Sequence, residues 1–314
     1  MSAAIDVRRA ILAKIEATYG TDPTPTGAAN AIITKKLKVR PQVQDQASRN
    51  DIDLPWLGSL VGIPANTHME MEFDVEVTGA SAAGTAPPYG PLLRSCALGE
   101  TLVAVTSVTY AEISSAFESS TIYGNIDGML YKMTGCRGTV ALNMKVGEIP
   151  TWHFKMVGLY NAVTDIALPS LTLTAWQDPL PINRTNTPTF TLAGYAAGLW
   201  SMMIDLGRTT PYVPFAATGS EQVFVTRRQP TAKFVIEHPT IAQKDFYLLA
   251  KNGTAGALSC IHGTGAGKIL TITAAQLRLM NPNRADQQGV STLELDGEFG
   301  QTVAGNNELT FAFT

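Results

Sequence analysis

The sequence predicts a mainly-β protein made of two similar halves, each with one short α-helix. Three observations predict it. Residues 69–77, Met-Glu-Met-Glu-Phe-Asp-Val-Glu-Val, alternate with period two, the pattern of a strand with one buried and one wet face. Hairpin signals recur, with Asp127-Gly128 between residues 122–126 and 129–133, and Gly147 between 139–146 and 151–157. An order of long loop, strand, helix and two hairpins occurs twice along the chain. Helices are too few to cross over between the strands of a parallel sheet.

In chain order, residues 6–17 read as a short helix with Ile11, Leu12 and Ile15 on one side, stopped by the Pro- and Thr-rich run from Thr21 to Gly27. Residues 31–39 read as a strand and Gln42–Asp53 as a long polar loop. Pro91–Leu98 reads as a helix, with Pro near its start and Gly99 past its end. Strands follow at 102–110 and 120–126, then the two hairpins. Residues 161–189, rich in Pro, Thr and Asn, are the linker, dividing the chain into 1–170 and 171–314. Beyond it come a strand at 199–206, a loop from Gly207 to Ser220, and a strand at 231–238. A helix over Ala242–Asn252 ends at Gly253, and strands follow at 269–273, 276–280, 292–299 and 309–313. Asp127–Thr134 aligns with Ala266–Thr273, and Thr151–Phe154 with Thr292–Leu295. The shared order, rather than these weak identities, carries the reading of a tandem duplication.

Composition excludes several functions. The chain has 314 residues, of which only 16% are charged, and its net charge is −3. A protein that grips phosphates carries a basic excess, which is missing. No run of apolar residues is long enough for a membrane helix. The first 20 residues lack the apolar core of a secretory signal. Cys96, Cys136 and Cys260 are odd in number and show no CxxC spacing, as reduced buried thiols would. Scarce charge on a large chain fits a surface covered by other protein copies, because interface cores are depleted of charge.

Chemical motifs are few. His262–Ile269 is Gly-rich, but a phosphate loop needs Gly at the position of His262 and Ser or Thr at Ile269. It reads as a turn. The four histidines, His68, His153, His238 and His262, are isolated, and no metal-ligand or nucleophile–base spacing exists. No catalytic, cofactor or metal residue is therefore expected, and the chain does not read as an enzyme. Two acidic rows remain: Glu70, Glu72, Asp74 and Glu76, and Glu294, Asp296 and Glu298. Residues two apart on a strand line up without converging on a point, so each row makes a poor metal site. They read as a solvated face or as a surface that repels phosphates.

The run Asp127-Gly128-Met129-Leu130-Tyr131-Lys132-Met133-Thr134-Gly135-Cys136-Arg137-Gly138-Thr139-Val140 is followed by Gly147–Thr151 and Gly158-Leu159-Tyr160. Together these resemble the tail tube (major tail) protein of long-tailed, non-contractile bacteriophages. Leu12–Asp22, Arg228–Ala232 and Lys244-Asp245-Phe246 are similar to the same family, so the resemblance spans most of the chain in order. It implies two tandem tail-tube-type β-sandwich or barrel modules, each with a short flanking α-helix. It also implies rings whose inner strands form a continuous channel, stacked into a tube. A ring of this family presents six modules, so a two-module chain implies a trimer with pseudo-sixfold symmetry, with a hexamer as runner-up. The acidic rows would then face the lumen, where they repel the phosphates of genomic DNA.

The matching inter-ring loops are Gln42–Asp53, with Gln42, Gln44, Asp45, Gln46, Arg49 and Asp51, and Gly207–Ser220, with Arg208, Thr209 and Tyr212. The implied partners are further copies of the chain, the tape measure protein and DNA in the lumen, and the terminator and distal tail proteins at the tube ends. The location is the virion tail, assembled in the host cytoplasm without a membrane. A carbohydrate-binding module, or a tail fibre or baseplate β-sandwich, is the alternative. It would cluster exposed aromatics, but Trp56, Trp152, Trp176 and Trp200 are scattered.

Overall fold

The computed structural model describes residues 7–49, 52–53, 55–58, 60–217 and 219–314. The first half contains β1 (Arg9–Ile15), β2 (Ala31–Ile32), β3 (Lys35–Ala47), β4 (Ile63–Glu76), α1 (Gly90–Ser95), β5 (Leu98–Val103), β6 (Ser107–Glu112), β7 (Ser120–Ile126), β8 (Met129–Lys145), β9 (Thr151–Tyr160) and β10 (Thr164–Asp165). The second half contains β11 (Thr189–Leu192), β12 (Tyr195–Ala196), β13 (Leu199–Asp205), β14 (Arg208–Thr209), β15 (Tyr212–Pro214), β16 (Glu221–Val223), β17 (Arg227–Arg228), β18 (Thr231–Glu237), α2 (Phe246–Asn252), β19 (Ala255–His262), β20 (Leu270–Gln287), β21 (Val290–Gly300) and β22 (Thr310–Phe313). The protein is mainly β, and its strand pairings are antiparallel.

Seven pairings of the first half recur in the second. They are β1–β2 and β11–β12, β1–β7 and β11–β19, β7–β8 and β19–β20, β8–β9 and β20–β21, β4–β9 and β18–β21, β3–β4 and β13–β18, and β8–β10 and β20–β22. Each helix follows its half's β4 or β18 strand. The β5–β6 hairpin belongs to the first half alone, and the β14–β17 arm to the second.

The halves share one core. Its largest side chains include Trp152, Tyr89, Tyr110, Phe73, Phe154, Phe234 and Phe311. The last strand, β22, pairs with β20 of its own half and with β6 of the other. It inserts Phe311 edge-on against Trp152 at 5.1 Å, and Phe313 edge-on against Tyr110 at 5.9 Å. Such edge-to-face pairs add to the burial of the rings themselves.

Local chemistry explains the elements that were anticipated. Asp127 and Gly128 both take positive φ, 41° and 97°, as a two-residue turn matched to strand twist requires. Asp245 caps α2 by accepting from the Leu248 N–H at 2.8 Å, and Gly253 closes it at φ 62°. The Gly-rich segment before Leu270 turns β19 into β20.

Several expectations are corrected. The helix expected at 6–17 is not found over its described part, 7–17, because β1 runs through it. Ala10, Ile11, Leu12 and Ala13 are all buried, and a strand covered on both faces reads as a continuous apolar run that periodicity does not separate from a helix. The strand expected at 102–110 is broken into β5 and β6 by a turn in which Val105 holds φ 61°, with no glycine to signal it. The loop expected at Gln42–Asp53 is strand as far as Ala47, because β3 and β4 form a long hairpin arm. Gly207–Ser220 likewise contains β14 and β15. The strands expected at 269–273 and 276–280 are one strand, β20, which continues to Gln287. It passes Asn281-Pro282 through a bulge with Asn281 at φ 51°.

Candidate functional site

The pairings β3–β4–β9–β8–β13–β18–β21–β20 make one eight-stranded antiparallel sheet that spans both halves. The halves join at β8–β13, where Ala141–Lys145 pair with Ser201–Asp205. Two further bonds extend the junction, Leu206 N–H to Val140 O at 3.1 Å and Val146 N–H to Trp200 O at 3.0 Å.

One face of this sheet is apolar and buried. It carries Met69, Met71, Phe73 and Val75 of β4, Trp152 and Phe154 of β9, Leu142 and Met144 of β8, Met202 and Ile204 of β13, Phe234 of β18, and Leu293 and Leu295 of β21. The other face is polar. Asp74 stands opposite His153, His153 opposite Ala141, Ala141 opposite Asp205, Asp205 opposite Thr231, and Thr231 opposite Glu298. Directly opposed residues share a face, so both acidic rows lie on one surface. Two grooves indent it. One of about 670 Å³ is lined by residues including Asn143, Lys145, Met203, Lys233, Glu294 and Asp296, and one of about 340 Å³ by Lys36, Lys38, Glu72, Asp74 and His153 among others.

The two acidic rows differ in their surroundings. In the first, every acid meets a cation from β3: Glu70 with Arg40 at 3.0 Å, Glu72 with Lys38 at 3.8 Å, Asp74 with Lys36 at 2.9 Å, and Glu76 with Lys35. Asp74 also accepts from His153 at 2.6 Å. Burial pushes the Asp74 carboxyl up, but the His153 and Lys36 contacts outweigh it and hold the group below its ordinary range. In the second row Glu298 accepts from Gln229 at 3.1 Å and Asp296 from Asn281 at 2.9 Å. No ion pair among the described residues reaches Glu294, Asp296 or Glu298. Sequence reading missed the cation row, although Lys35-Lys36-Leu37-Lys38-Val39-Arg40 carries its alternation.

The loop candidates separate. Gln42, Gln44, Asp45, Gln46 and Arg49 are exposed on or beside the β3–β4 arm, and Asp51 lies outside the described residues. The arm also exposes Ile52, Trp56, Leu57, Val61 and Ile63. The second loop folds back onto the first half. Tyr212 stacks on His68 at 5.0 Å, and Val223 of β16 receives the Arg137 guanidinium on its carbonyl at 2.8 Å and binds the Tyr19 hydroxyl through its N–H at 2.7 Å. Thr209 is exposed. Arg208 is not on an exposed loop, as the sequence reading had it. Its buried guanidinium pairs with buried Glu112 and donates to the Cys96 and Ala97 carbonyls at 3.1 and 3.3 Å.

Sequence reading also missed Glu16, a buried carboxylate that accepts from the Ser119 and Thr121 hydroxyls, both at 2.6 Å, and from the Gly20 and Gly135 N–H groups at 2.8 and 2.7 Å. Four donors satisfy it, and they tie β1, β7 and β8 together. The remaining histidines are locally bonded, His262 with Thr187 at 2.9 Å and His238 with Tyr247 at 2.9 Å. Among the described residues no His, Cys, Asp and Glu side chains gather as a metal site. No helix there is long and apolar enough to cross a membrane.

These features define a β scaffold whose dominant site is an extended two-faced sheet rather than a pocket. The family model for phage tail tube proteins matches residues 7–313, and the chain belongs to that family. It is a structural component of a virion tail that assembles with its own kind into a tube. No curated protein matches the chain.

Proposed function

We propose that the chain is two tandem tube modules, 1–170 and 171–314, and that three copies close into a pseudo-sixfold ring of a long, non-contractile tail. The eight-stranded sheet carries this reading. Three copies supply about 24 strands; at about 4.8 Å per strand they enclose a bore of roughly 37 Å between backbones. Barrels of about 16–18 strands already leave an aqueous channel. The polar face lines the lumen, and the buried face is turned to the chain's own core. The recurrence of seven pairings supports the two-module division, with residues 161–189 as the connection.

Within the lumen Glu294, Asp296 and Glu298 keep DNA phosphates from adhering during ejection, while the Glu70–Glu76 row is neutralised by the β3 cations. The tape measure protein occupies the same bore before DNA does, and terminator and distal tail proteins cap the ends. The exposed apolar residues of the β3–β4 arm contact the neighbouring ring. Assembly takes place in the host cytoplasm. Cryo-electron microscopy of assembled tubes tests the reading: it is expected to show three chains per ring with Glu294 and Asp296 on the inner wall. Six chains per ring, or those side chains outside, would overturn it.

A further inference from the structure

This inference rests on the tube reading and concerns which strands of adjacent copies meet. Strand β8 is bonded to β7 as far as Cys136, and from Ala141 to Lys145 it is bonded to β13. Its counterpart β20 is bonded to β19 only as far as Arg278. Among the described residues, nothing pairs with the side of β20 away from β21 beyond that point. At the opposite end of the sheet β3 pairs with no strand but β4, and its Leu37 carbonyl accepts from the Arg9 guanidinium at 2.8 Å, whereas its counterpart β13 is bonded on both sides, by β18 and β8. The two open edges are therefore the counterparts of the two strands that meet at β8–β13. The chain holds one complete junction inside and the two sides of another at its ends.

We infer that β20 of one copy pairs antiparallel with β3 of a second copy, in the register of the β8–β13 junction. The repeated pairings fix that register. Val77 N–H bonds Pro150 O at 2.9 Å where His238 N–H bonds Ser291 O at 3.4 Å. Asn143, opposite Thr151, then corresponds to Ala285, opposite Thr292. Met203, opposite Lys233, corresponds to Lys38, opposite Glu72. Because Asn143 faces Met203 within the chain, Ala285 of one copy faces Lys38 of the next. Asn283 comes opposite Arg40 and, past the bulge between Lys35 and Lys38, Gln287 opposite Lys35.

Face and charge agree with this register. Leu37 is buried as Met202 is, while Lys38 and Met203 are both exposed on the polar side. The junction sets Arg40 of β3 in line, across Asn283, with Glu294, an acid that no ion pair within the chain reaches among the described residues. Pairing also removes both open edges, which a sheet exposed in solution must otherwise guard.

Disulfide trapping tests the junction in the full chain. The three native cysteines are buried, and opposed strand residues lie within reach of a disulfide. Oxidation of assembled Lys38→Cys/Ala285→Cys is expected to give a ladder of linked chains that stops at the ring's copy number and collapses on reduction. A mixture of the two single variants, each first shown to form tubes, is expected to stop at linked dimers. Asn143→Cys/Met203→Cys, the same pair inside one chain, calibrates the chemistry with an intrachain bond. If tubes form and the calibration pair closes, but the Lys38 and Ala285 cysteines stay unlinked, the junction is wrong while the tube reading stands. Linkage of Ala285→Cys to Lys36→Cys or Arg40→Cys in preference to Lys38→Cys overturns the register. A wild-type chain that forms no tube overturns the tube reading itself.

Discussion

Arg208 and Glu112 show how single residues bind the halves of this chain together. Both side chains are buried, one from β14 and one from β6. Burial pushes the Glu112 carboxyl up, and the neighbouring guanidinium pulls it back only in part. A buried pair of this kind stabilises little against an apolar replacement of the same size, yet losing one partner strands the other charge. Arg208→Ala is therefore expected to cost about 3–5 kcal/mol of folding stability, read as a lower urea midpoint. The double variant Arg208→Met/Glu112→Leu should recover most of it. A single variant as stable as the wild type would show that water reaches Glu112. Neither residue was legible in the sequence, because a lone Arg in a polar loop carries no mark of the acid 96 positions away.

At the scale of elements, what was legible depended on whether a segment has two different faces. Residues 69–76 of β4 alternate, so that stretch and its polar row were readable, whereas Ile63–His68, exposed or half-buried throughout, were not. The outer part of β3 is wet on both faces and therefore read as loop. Strand β1 is buried along Ala10–Ala13 and read as helix. The acidic row was visible and the cations that neutralise it were not, since register between β3 and β4 depends on a bulge between Lys35 and Lys38. That pairing gives the arm a pH dependence. Asp74 titrates below its ordinary value in the folded chain, so its contribution is present above about pH 4 and is lost as pH falls through the lowered value. The urea midpoint should fall between pH 6 and pH 3, and Asp74→Asn should remove part of that fall. An unchanged pH profile in Asp74→Asn would place the acid sensitivity elsewhere.

For the whole molecule, the polar face divides into a neutralised part and an acidic part. Reversing Glu70, Glu72 and Asp74 to Lys puts three new cations against Lys35, Lys36, Lys38 and Arg40. Like charges across a strand pair are destabilising, and the expected result is loss of the arm and of assembly. Neutralising the other row, Glu294→Gln, Asp296→Asn and Glu298→Gln, leaves the internal ion pairs intact and sets no new cation opposite Lys233 or Arg278. Those virions should assemble tails of normal length and release DNA more slowly, as measured by the rate of DNA release after triggering. Normal release would remove electrostatic repulsion from the role of this face. The fold class and the family were legible across the chain, whereas the continuity of one sheet through both halves was not, because strand order across β8–β13 depends on contacts distant in sequence.

The crowding of lysine on β3 also decides which encounter between two copies is productive. If two β3 edges met antiparallel, Lys35, Lys36, Lys38 and Arg40 of one copy would lie along the same four cations of the other. A symmetric dimer on that edge would use up the strand without closing any ring, since an isologous contact leaves nothing to propagate. In the proposed ring, cations set at the open edge, with their partner acids one strand behind, would make a β3–β3 encounter less favourable than the β3–β20 one.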